Sequence, residues 1–174
     1  MLQSKKREKR LAFVDWNTLF TMQEKLDEYI EEKNNIKNTD VFREKCLALL
    51  VELGELANET RCFKFWSKKP RNDDSVILEE YVDNIHFLLS LGIEKGYRYT
   101  MIPEVRDTLS ESEQFMHIFD ACVQFKKEPT KNNYEHLFNQ YLLLGNLLGY
   151  NETDIQEAYF KKNEVNYERQ NQGY

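Results

Sequence analysis

The sequence predicts an all-α fold, and three observations support that prediction. The 174 residues include only six glycines and three prolines, so few residues would interrupt a helix. Apolar residues recur at helical spacing through most of the chain, whereas the alternation typical of strands is scarce. No repeat, low-complexity tract or obvious interdomain linker divides the sequence. The length therefore predicts a single domain, residues 1–174, that buries a sizeable core.

The first three helices follow from apolar periodicity and from polar residues near their ends. A first helix carries its apolar stripe over residues 19–30 and fades at Lys33. Thr39 or Asp40 can cap a second helix that runs on to about residue 56. A polar loop then leads into a third helix, which we expect at about residues 75–94.

The other three helices begin at recognisable start signals. Residues 110–113, Ser-Glu-Ser-Glu, have the spacing of a capping box and open a fourth helix that ends near residue 127. Residues 129–130, Pro-Thr, start a fifth helix, and Gly149 lies where a residue just beyond its end is expected. Residues 151–154, Asn-Glu-Thr-Asp, open a sixth. Six such segments predict a helical bundle.

Composition argues against several classes of function. A formal net charge of −6 makes the chain a poor candidate for holding a long nucleic-acid backbone, although a nucleotide carried with a metal fits. No stretch is long enough to cross a bilayer, and the apolar run at residues 11–14 is too short for a signal peptide. Cys46, Cys62 and Cys122 form no C-x-x-C pattern, so we expect reduced thiols, with Cys46 and Cys122 in the core. The sequence predicts a soluble cytoplasmic protein with no membrane partner.

Two pairs of acidic residues carry the strongest functional signal. Glu52 and Glu55 lie three residues apart in the second predicted helix, and Glu80 and Asp83 have the same spacing in the third. At about 100° per residue, each pair occupies one face of its helix. Apolar residues share both faces, whereas an amphipathic helix normally keeps its acids opposite its leucines. The pattern therefore predicts four carboxylates that point toward the core.

Magnesium is the partner that best explains four such acids. No basic residue lies within helical reach on either face, although basic residues from elsewhere, or a solvated acidic face, are the alternatives. Two like charges about 4 Å apart repel by roughly 4 kcal/mol at an effective dielectric near 20, so without cations some acids should hold a proton. Mg²⁺ prefers oxygen ligands and often bridges carboxylates to the phosphates of a substrate.

Basic residues supply candidates for binding phosphate. Lys162, Asn166 and Arg169 are spaced so that they line one face of the last helix, where the cations could neutralise phosphate oxygens and the amide could donate a hydrogen bond. A solvated charged face is the alternative. The basic cluster within residues 61–71, which includes Lys64, could guard the entrance for a polyphosphate.

An apolar helix face and three rings supply candidates for binding a nucleobase. Gln23 lies on the apolar stripe of the first helix, and a buried amide can both accept from and donate to a base. Phe87 and Trp66 could stack on the base or exclude a ribose 2′-OH, although core packing is the alternative for each. His86 adjoins Phe87, and none of the three histidines has zinc-ligand spacing.

Together these motifs resemble those of the dimeric all-α dUTPases. The resemblance rests on four runs: residues 52–67 (E-L-G-E-L-A-N-E-T-R-x-F-K-x-W-S), residues 79–87 (E-E-x-x-D-x-x-H-F), residues 162–174 (K-N-x-x-N-x-x-R-Q-x-x-G-Y) and residues 23–27 (Q-x-x-L-D). These dUTPases belong to the wider all-α nucleoside triphosphate pyrophosphohydrolases, which include MazG-like proteins. The resemblance implies a MazG-like helical bundle with a four-helix metal-binding core, working as a homodimer with shared active-site walls.

The resemblance also implies a reaction and a role for each candidate residue. It implies hydrolysis of dUTP, and usually dUDP, to dUMP by attack of water on a metal-bound phosphate. Two or three Mg²⁺ per site would be held by Glu52, Glu55, Glu80 and Asp83, and either Glu52 or Glu55 would orient the water. The remaining candidates divide into phosphate contacts (Lys64, Lys162, Asn166, Arg169 and Tyr174) and contacts to the base or sugar (Gln23, Asp27, Trp66, His86 and Phe87).

Two other functions remain as alternatives. A MazG-like or dCTP-type pyrophosphohydrolase would keep the acids and change the base. A non-enzymatic helical interaction module would use the acids on a partner surface, and a regulatory protein partner is compatible with either role.

Overall fold

Helices are the only regular elements in the residues that the computed structural model describes, which are 15–100 and 109–173. The prediction of an all-α fold is confirmed, and each predicted helix is present. The helices are α1 (Trp16–Lys33), α2 (Phe42–Thr60), α3 (Asp74–Lys95), α4 (Glu111–Lys127), α5 (Lys131–Leu147) and α6 (Glu152–Asn171). None of them combines the length and apolarity that a membrane span needs.

The third helix is the centre of the bundle. α3 packs against α1, α2, α5 and α6, while α4 packs against α2 and α5. Because α3 has neighbours on several sides, it is apolar over more of its circumference than a surface helix, and Leu88, Leu89 and Leu91 are all fully buried. An acid on α3 can therefore face a neighbouring helix rather than water.

The capping signals position most of the helix starts. The predicted capping box forms at Ser110 with Glu113, and the predicted start of the sixth helix forms a second one at Asn151 with Asp154. The prediction for α2 was wrong in detail, because the residue before its first turn is Val41, which makes no side-chain cap. The carboxylate of Asp40 accepts a hydrogen bond from the amide of Phe42 instead (3.2 Å), so it still satisfies one of the amides that a helix start leaves unpaired.

Buried tyrosines join the helices through their hydroxyls. Tyr141 of α5 stacks on Tyr81 of α3 and donates a hydrogen bond to its carbonyl (2.7 Å). Tyr134 of α5 donates to the carbonyl of Leu88 in α3 (3.0 Å). Each hydroxyl is satisfied by backbone, which removes the cost of burying it. The expected core cysteines, Cys46 and Cys122, are buried and free.

We predict that Gly92→Ala destabilises the protein, because α5 approaches α3 too closely there for a side chain. A Cβ at Gly92 would meet the hydroxyl of Tyr134, which its bond to Leu88 holds in place, and would lie 2.8 Å from the carbonyl oxygen of Tyr97. Overpacking of this kind costs about 1–3 kcal/mol in the free energy of unfolding, which urea denaturation measures.

The matched control is Gly54→Ala in α2, where an added Cβ would meet nothing within 4 Å. There the alanine side chain should restrict the backbone of the unfolded chain, and the lower entropy of that state should raise the free energy of unfolding by about 0.5–1 kcal/mol. Equal effects of the two substitutions would show that the contact at Gly92 does not constrain the helix packing.

Candidate active site

The packing of α2 against α3 brings three of the four predicted metal ligands together. Glu52, Glu80 and Asp83 each offer a carboxylate oxygen, and these oxygens all lie within 4.8 Å of one another. All three side chains are partly buried. We call these three residues the acid cluster. Glu55 corrects the expectation of four inward acids, since it is exposed and lies outside this group.

Burial and mutual repulsion make the acid cluster reluctant to ionise fully. Burial, together with the charges of Asp83, Glu55 and Glu80, raises the pKa of Glu52 to about 7. Burial is also the main reason that the pKa values of Glu80 and Asp83 are raised. Oxygen Oε2 of Glu80 is buried and has no hydrogen-bond partner in the described part of the chain. A set of hard oxygen donors with one of them unsatisfied suits a divalent cation such as Mg²⁺.

Lys162 of α6 places a positive charge beside these acids, which no residue within helical reach on α2 or α3 does. Its ammonium group lies 2.7 Å from Asp83 and 2.9 Å from Glu79, and only 7% of its side chain is exposed. Burial alone would lower the pKa of Lys162, but the hydrogen bonds to Asp83 and Glu79 outweigh that effect and the pKa is raised. The sequence showed no basic residue within helical reach on either face and left basic residues from elsewhere as an alternative; Lys162 is such a residue and pairs with Asp83.

A cavity of about 320 Å³ continues from the acid cluster. Its volume is at the lower end of the range of ligand pockets, roughly 300–1,000 Å³. Glu52 and Asp83 line the cavity and also belong to the acid cluster, so the cavity is continuous with the cluster. The other sequence-predicted residues that line the cavity are Gln23, Asp27, His86, Phe87, Asn166 and Arg169.

Hydrogen bonds fix the inner wall of the cavity. Buried Gln23 donates from Nε2 to Asp27 (2.7 Å), and its Oε1 accepts from the hydroxyl of Tyr159 (2.9 Å). The same Oε1 lies 2.7 Å from Nδ1 of His86, whose ring stacks on Tyr159. Asp27 also accepts from the hydroxyl of Ser90 (2.6 Å). Each side chain of this wall is therefore held by at least one neighbour, although Nε2 of His86 is buried without a hydrogen-bond partner among the described residues.

His86 is neutral in this environment. Burial lowers its pKa to about 3, and the nearby charge of Lys162 contributes in the same direction. A neutral imidazole carries one N–H, and the oxygen of Gln23 requires that N–H on Nδ1. His86 is thus a wall residue and a hydrogen-bond donor to Gln23, with no role as a cation.

Sequence reasoning missed three residues of this wall. Ser90 follows His86 by four positions on α3, and Tyr159 precedes Lys162 by three positions on α6, so both lie on stripes that the predicted residues already marked. Lys45 is seven positions before Glu52 on α2. Its ammonium nitrogen lies 3.9 Å from a carboxylate oxygen of Asp27 and 2.9 Å from one of Glu94. Extending each stripe by one or two helical turns would have identified all three.

Of the predicted contacts that lie in the described residues, Lys64, Trp66 and Lys162 do not line the cavity, although Lys162 reaches the acid cluster through Asp83. Lys64 donates a hydrogen bond to Asn58, and Trp66 is 65% exposed in the loop after α2, where it packs edge-on against Phe65. Tyr174 lies outside the described residues.

We predict that the stability of the metal-free protein falls as the pH rises from about 5 to about 8. The folded-state pKa of Glu52, about 7, lies above its ordinary value of 4.5. Between those values the folded state keeps a proton that the unfolded chain has released, so raising the pH favours unfolding. Glu52→Gln should flatten this dependence in urea denaturation with EDTA. Glu44→Gln, an exposed change on the same helix, should leave it as in the wild type, and an unaltered slope in Glu52→Gln would contradict the electrostatic account.

The comparison with known protein families agrees with this site. A family model described as dUTPase matches residues 15–174, a span that includes all six helices, the acid cluster and the cavity. No curated protein shows significant similarity to the chain. The resemblance predicted from the acid pairs and the terminal motifs is confirmed, and the chain belongs to the dUTPase family, whose members are helical dUTP diphosphatases.

Proposed function

We propose that this enzyme hydrolyses dUTP, and also dUDP, to dUMP with Mg²⁺ as the required cation. The observation that carries the proposal is the continuity between the cavity and the acid cluster through Glu52 and Asp83. A nucleoside in the cavity would extend its phosphates toward the carboxylates. The nucleotide's negative charge and the raised pKa values of the acids both call for divalent cations at this junction.

Glu52, Glu80 and Asp83, with Glu55 beside them, would hold two or three Mg²⁺. When bound, the ions would neutralise phosphate charge and polarise the phosphoryl group that water attacks. Oε2 of Glu80, which has no partner among the described residues, and the exposed carboxylate of Glu55 offer further donor atoms for these ions.

Glu52 is the residue that we assign as general base. It lies where the acid cluster meets the cavity, and in the metal-free protein burial and the neighbouring acids raise its pKa to about 7, so it can accept a proton near neutral pH. Asp83 occupies the same junction but is paired with Lys162. Glu55, the other candidate, is exposed.

Phosphate contacts would come mainly from α6. Asn166 and Arg169 line the cavity, and Lys162 is one turn from Asn166. Cations at Asp83 would compete with the ammonium group of Lys162, which could then turn from Asp83 to a phosphate oxygen. Lys64 and Tyr174 complete the proposed phosphate contacts and would have to approach from the loop after α2 and from the end of the chain.

Base and sugar contacts would come from α1 and α3. Gln23, Asp27, His86 and Phe87 line the cavity, and Phe87 offers a half-buried ring for stacking. Trp66 would join them only if its loop folds over the cavity, and we propose it as a contact on that condition.

We predict that dUTP is hydrolysed with release of pyrophosphate, and that EDTA abolishes the reaction. Asp83→Asn should lower turnover by more than about 100-fold, because it removes a metal ligand together with the partner of Lys162. Glu44→Gln is the matched acid-to-amide control and should keep wild-type turnover. Full activity of Asp83→Asn, or of the wild type in EDTA, would refute the proposed mechanism.

A panel of dNTPs tests the choice of base. Preference for dCTP or another dNTP would favour a MazG-like or dCTP-type pyrophosphohydrolase. Turnover of none of them, together with wild-type behaviour of the acid-cluster variants, would favour a helical interaction module.

We further propose that the enzyme works as a homodimer in the cytoplasm, with no polymeric nucleic acid or membrane as partner. The three free cysteines suit a reducing compartment. Leu47 and Val51, one turn apart on α2, are 62% and 50% exposed, and they give that helix an apolar strip that a second copy could cover. A regulatory protein is a further partner compatible with the exposed loop after α2.

We predict that Leu47→Glu with Val51→Glu shifts the protein from dimer to monomer in sedimentation, because the charges would be buried without partners in the interface. Leu147→Glu, on the half-exposed surface of α5, is the control and should leave the dimer intact. A monomeric wild type would refute the proposed assembly.

A further inference from the structure

The ammonium group of Lys162 lies in a fork between two carboxylates of α3. Its nitrogen is 2.9 Å from Glu79 and 2.7 Å from Asp83, which lie about one helical turn apart on the same helix. Only 7% of the Lys162 side chain is exposed, so its charged end has little access to water. An ammonium has three N–H groups, and the two acids engage two of them. The fork therefore fixes where the charge of Lys162 lies.

The two acids of the fork differ in what else they can bind. Asp83 belongs to the acid cluster and lines the cavity, whereas Glu79 lies outside both in the part of the chain that the structure describes. The side chain of Glu79 is also 57% exposed, against 17% for Asp83. A cation held by the acid cluster would therefore occupy Asp83 and leave the carboxylate of Glu79 available to Lys162.

Without Glu79, the loss of Asp83 as a partner would leave Lys162 poorly satisfied. A positive charge with so little exposure is costly unless an acid pairs with it. The lysine side chain is also long and flexible, so it loses its orientation when nothing holds its charged end. With Glu79 present, the ammonium can leave Asp83 by rotating about the contact that it keeps. Only one of its two contacts then changes when a cation binds.

The exposure of Glu79 argues against a purely structural role. Ion pairs that involve an exposed acid contribute little to stability, because water screens them. The less exposed Asp83 already gives Lys162 a partner across α3 and α6 in the metal-free protein. A second acid therefore matters most when Asp83 is engaged elsewhere.

We propose that Glu79 is a positioning residue that retains Lys162 beside the substrate phosphates while magnesium occupies Asp83. The inference rests on the proposed function, in which the acid cluster holds Mg²⁺ and Lys162 contacts phosphate. In the metal-free protein Lys162 neutralises Asp83; in the loaded enzyme it pairs with Glu79 and directs its other N–H groups toward phosphate oxygens. Glu79 contacts neither the ion nor the substrate and acts through Lys162.

The first test measures the Kd for Mg²⁺ by calorimetry, with no nucleotide present. In Glu79→Gln, Lys162 keeps Asp83 as its one carboxylate partner of the fork and competes harder with the ion, so the Kd should rise about tenfold. In a Lys162→Met background the same change should alter the Kd by less than about threefold, because the residue through which Glu79 acts is gone. Glu164→Gln, an exposed change two positions from Lys162 on α6, is the control and should keep the wild-type Kd.

This comparison separates an effect through Lys162 from the simple loss of a negative charge. An unchanged Kd in Glu79→Gln would overturn the proposal. An equal rise in both backgrounds would also overturn it, because Glu79 would then act on the ion directly.

The second test needs no change at Lys162 and separates positioning from a structural ion pair. In saturating Mg²⁺, Glu79→Gln should raise the KM for dUTP about tenfold and change kcat less than about threefold, because a misplaced phosphate contact weakens binding of substrate and transition state alike. Glu79→Asp keeps the charge and should recover part of the loss. A lower midpoint of urea denaturation in Glu79→Gln with the wild-type KM would show a structural pair and refute the positioning role.

Failure of the proposed function would give a different result. A wild type that neither binds Mg²⁺ nor hydrolyses dUTP would refute the proposed function, and this inference with it. A wild type that does both, with an unchanged Kd and KM in Glu79→Gln, would refute the inference alone.

Discussion

The close approach of three carboxylates between α2 and α3 is the constraint on which the rest of the site depends. Packing α2 along α3 buries a large apolar surface, and it also forces Glu52, Glu80 and Asp83 to within 4.8 Å of one another. Repulsion and desolvation oppose that arrangement, as the raised pKa values show. The bundle offsets part of the cost with Lys162, which arrives from α6 at the other end of the sequence. The negative charge of the acid cluster is thus one reason that α6 packs against α3 with Lys162 beside Asp83.

The position of α3 explains why one short stretch of sequence contributes to every part of the site. Its neighbours lie on several sides, so successive faces of the same helix meet different helices. One face meets α2 at the acid cluster, and His86 and Ser90 face Gln23 and Asp27 of α1. The link from acids to nucleoside cavity therefore runs along a single rigid element, which keeps the two parts of the site in register.

The sequence was sufficient for the fold class, the order of the helices and most of the candidate site, for reasons that are local. Capping boxes and apolar periodicity act within a few residues, so Ser110 with Glu113 and Asn151 with Asp154 could be identified without tertiary information. The acids were found because their i, i+3 spacing placed them on apolar faces. Contacts across helices could not be predicted in the same way. The partner of Asp83 is 79 positions away in the chain, at Lys162, and the exposure of Glu55 depends on the angle at which α2 meets α3.

Buried tyrosine hydroxyls also limit how high the pH can rise before the helical bundle unfolds. Tyr134 and Tyr141 donate hydrogen bonds from α5 to backbone carbonyls of α3, and Tyr159 donates from α6 to Gln23 of α1. Burial raises the pKa of each of them above its ordinary value of 10, so the native state keeps these protons when a solvated phenol would lose them. When the pH rises above about 10, these tyrosines ionise in the unfolded chain and stabilise it. In the native state they keep their protons, so the native state gains no such stabilisation. Phenolate absorbance from these rings should consequently appear together with loss of the helical bundle, because the protons that hold α5 and α6 in place cannot leave while the packing persists.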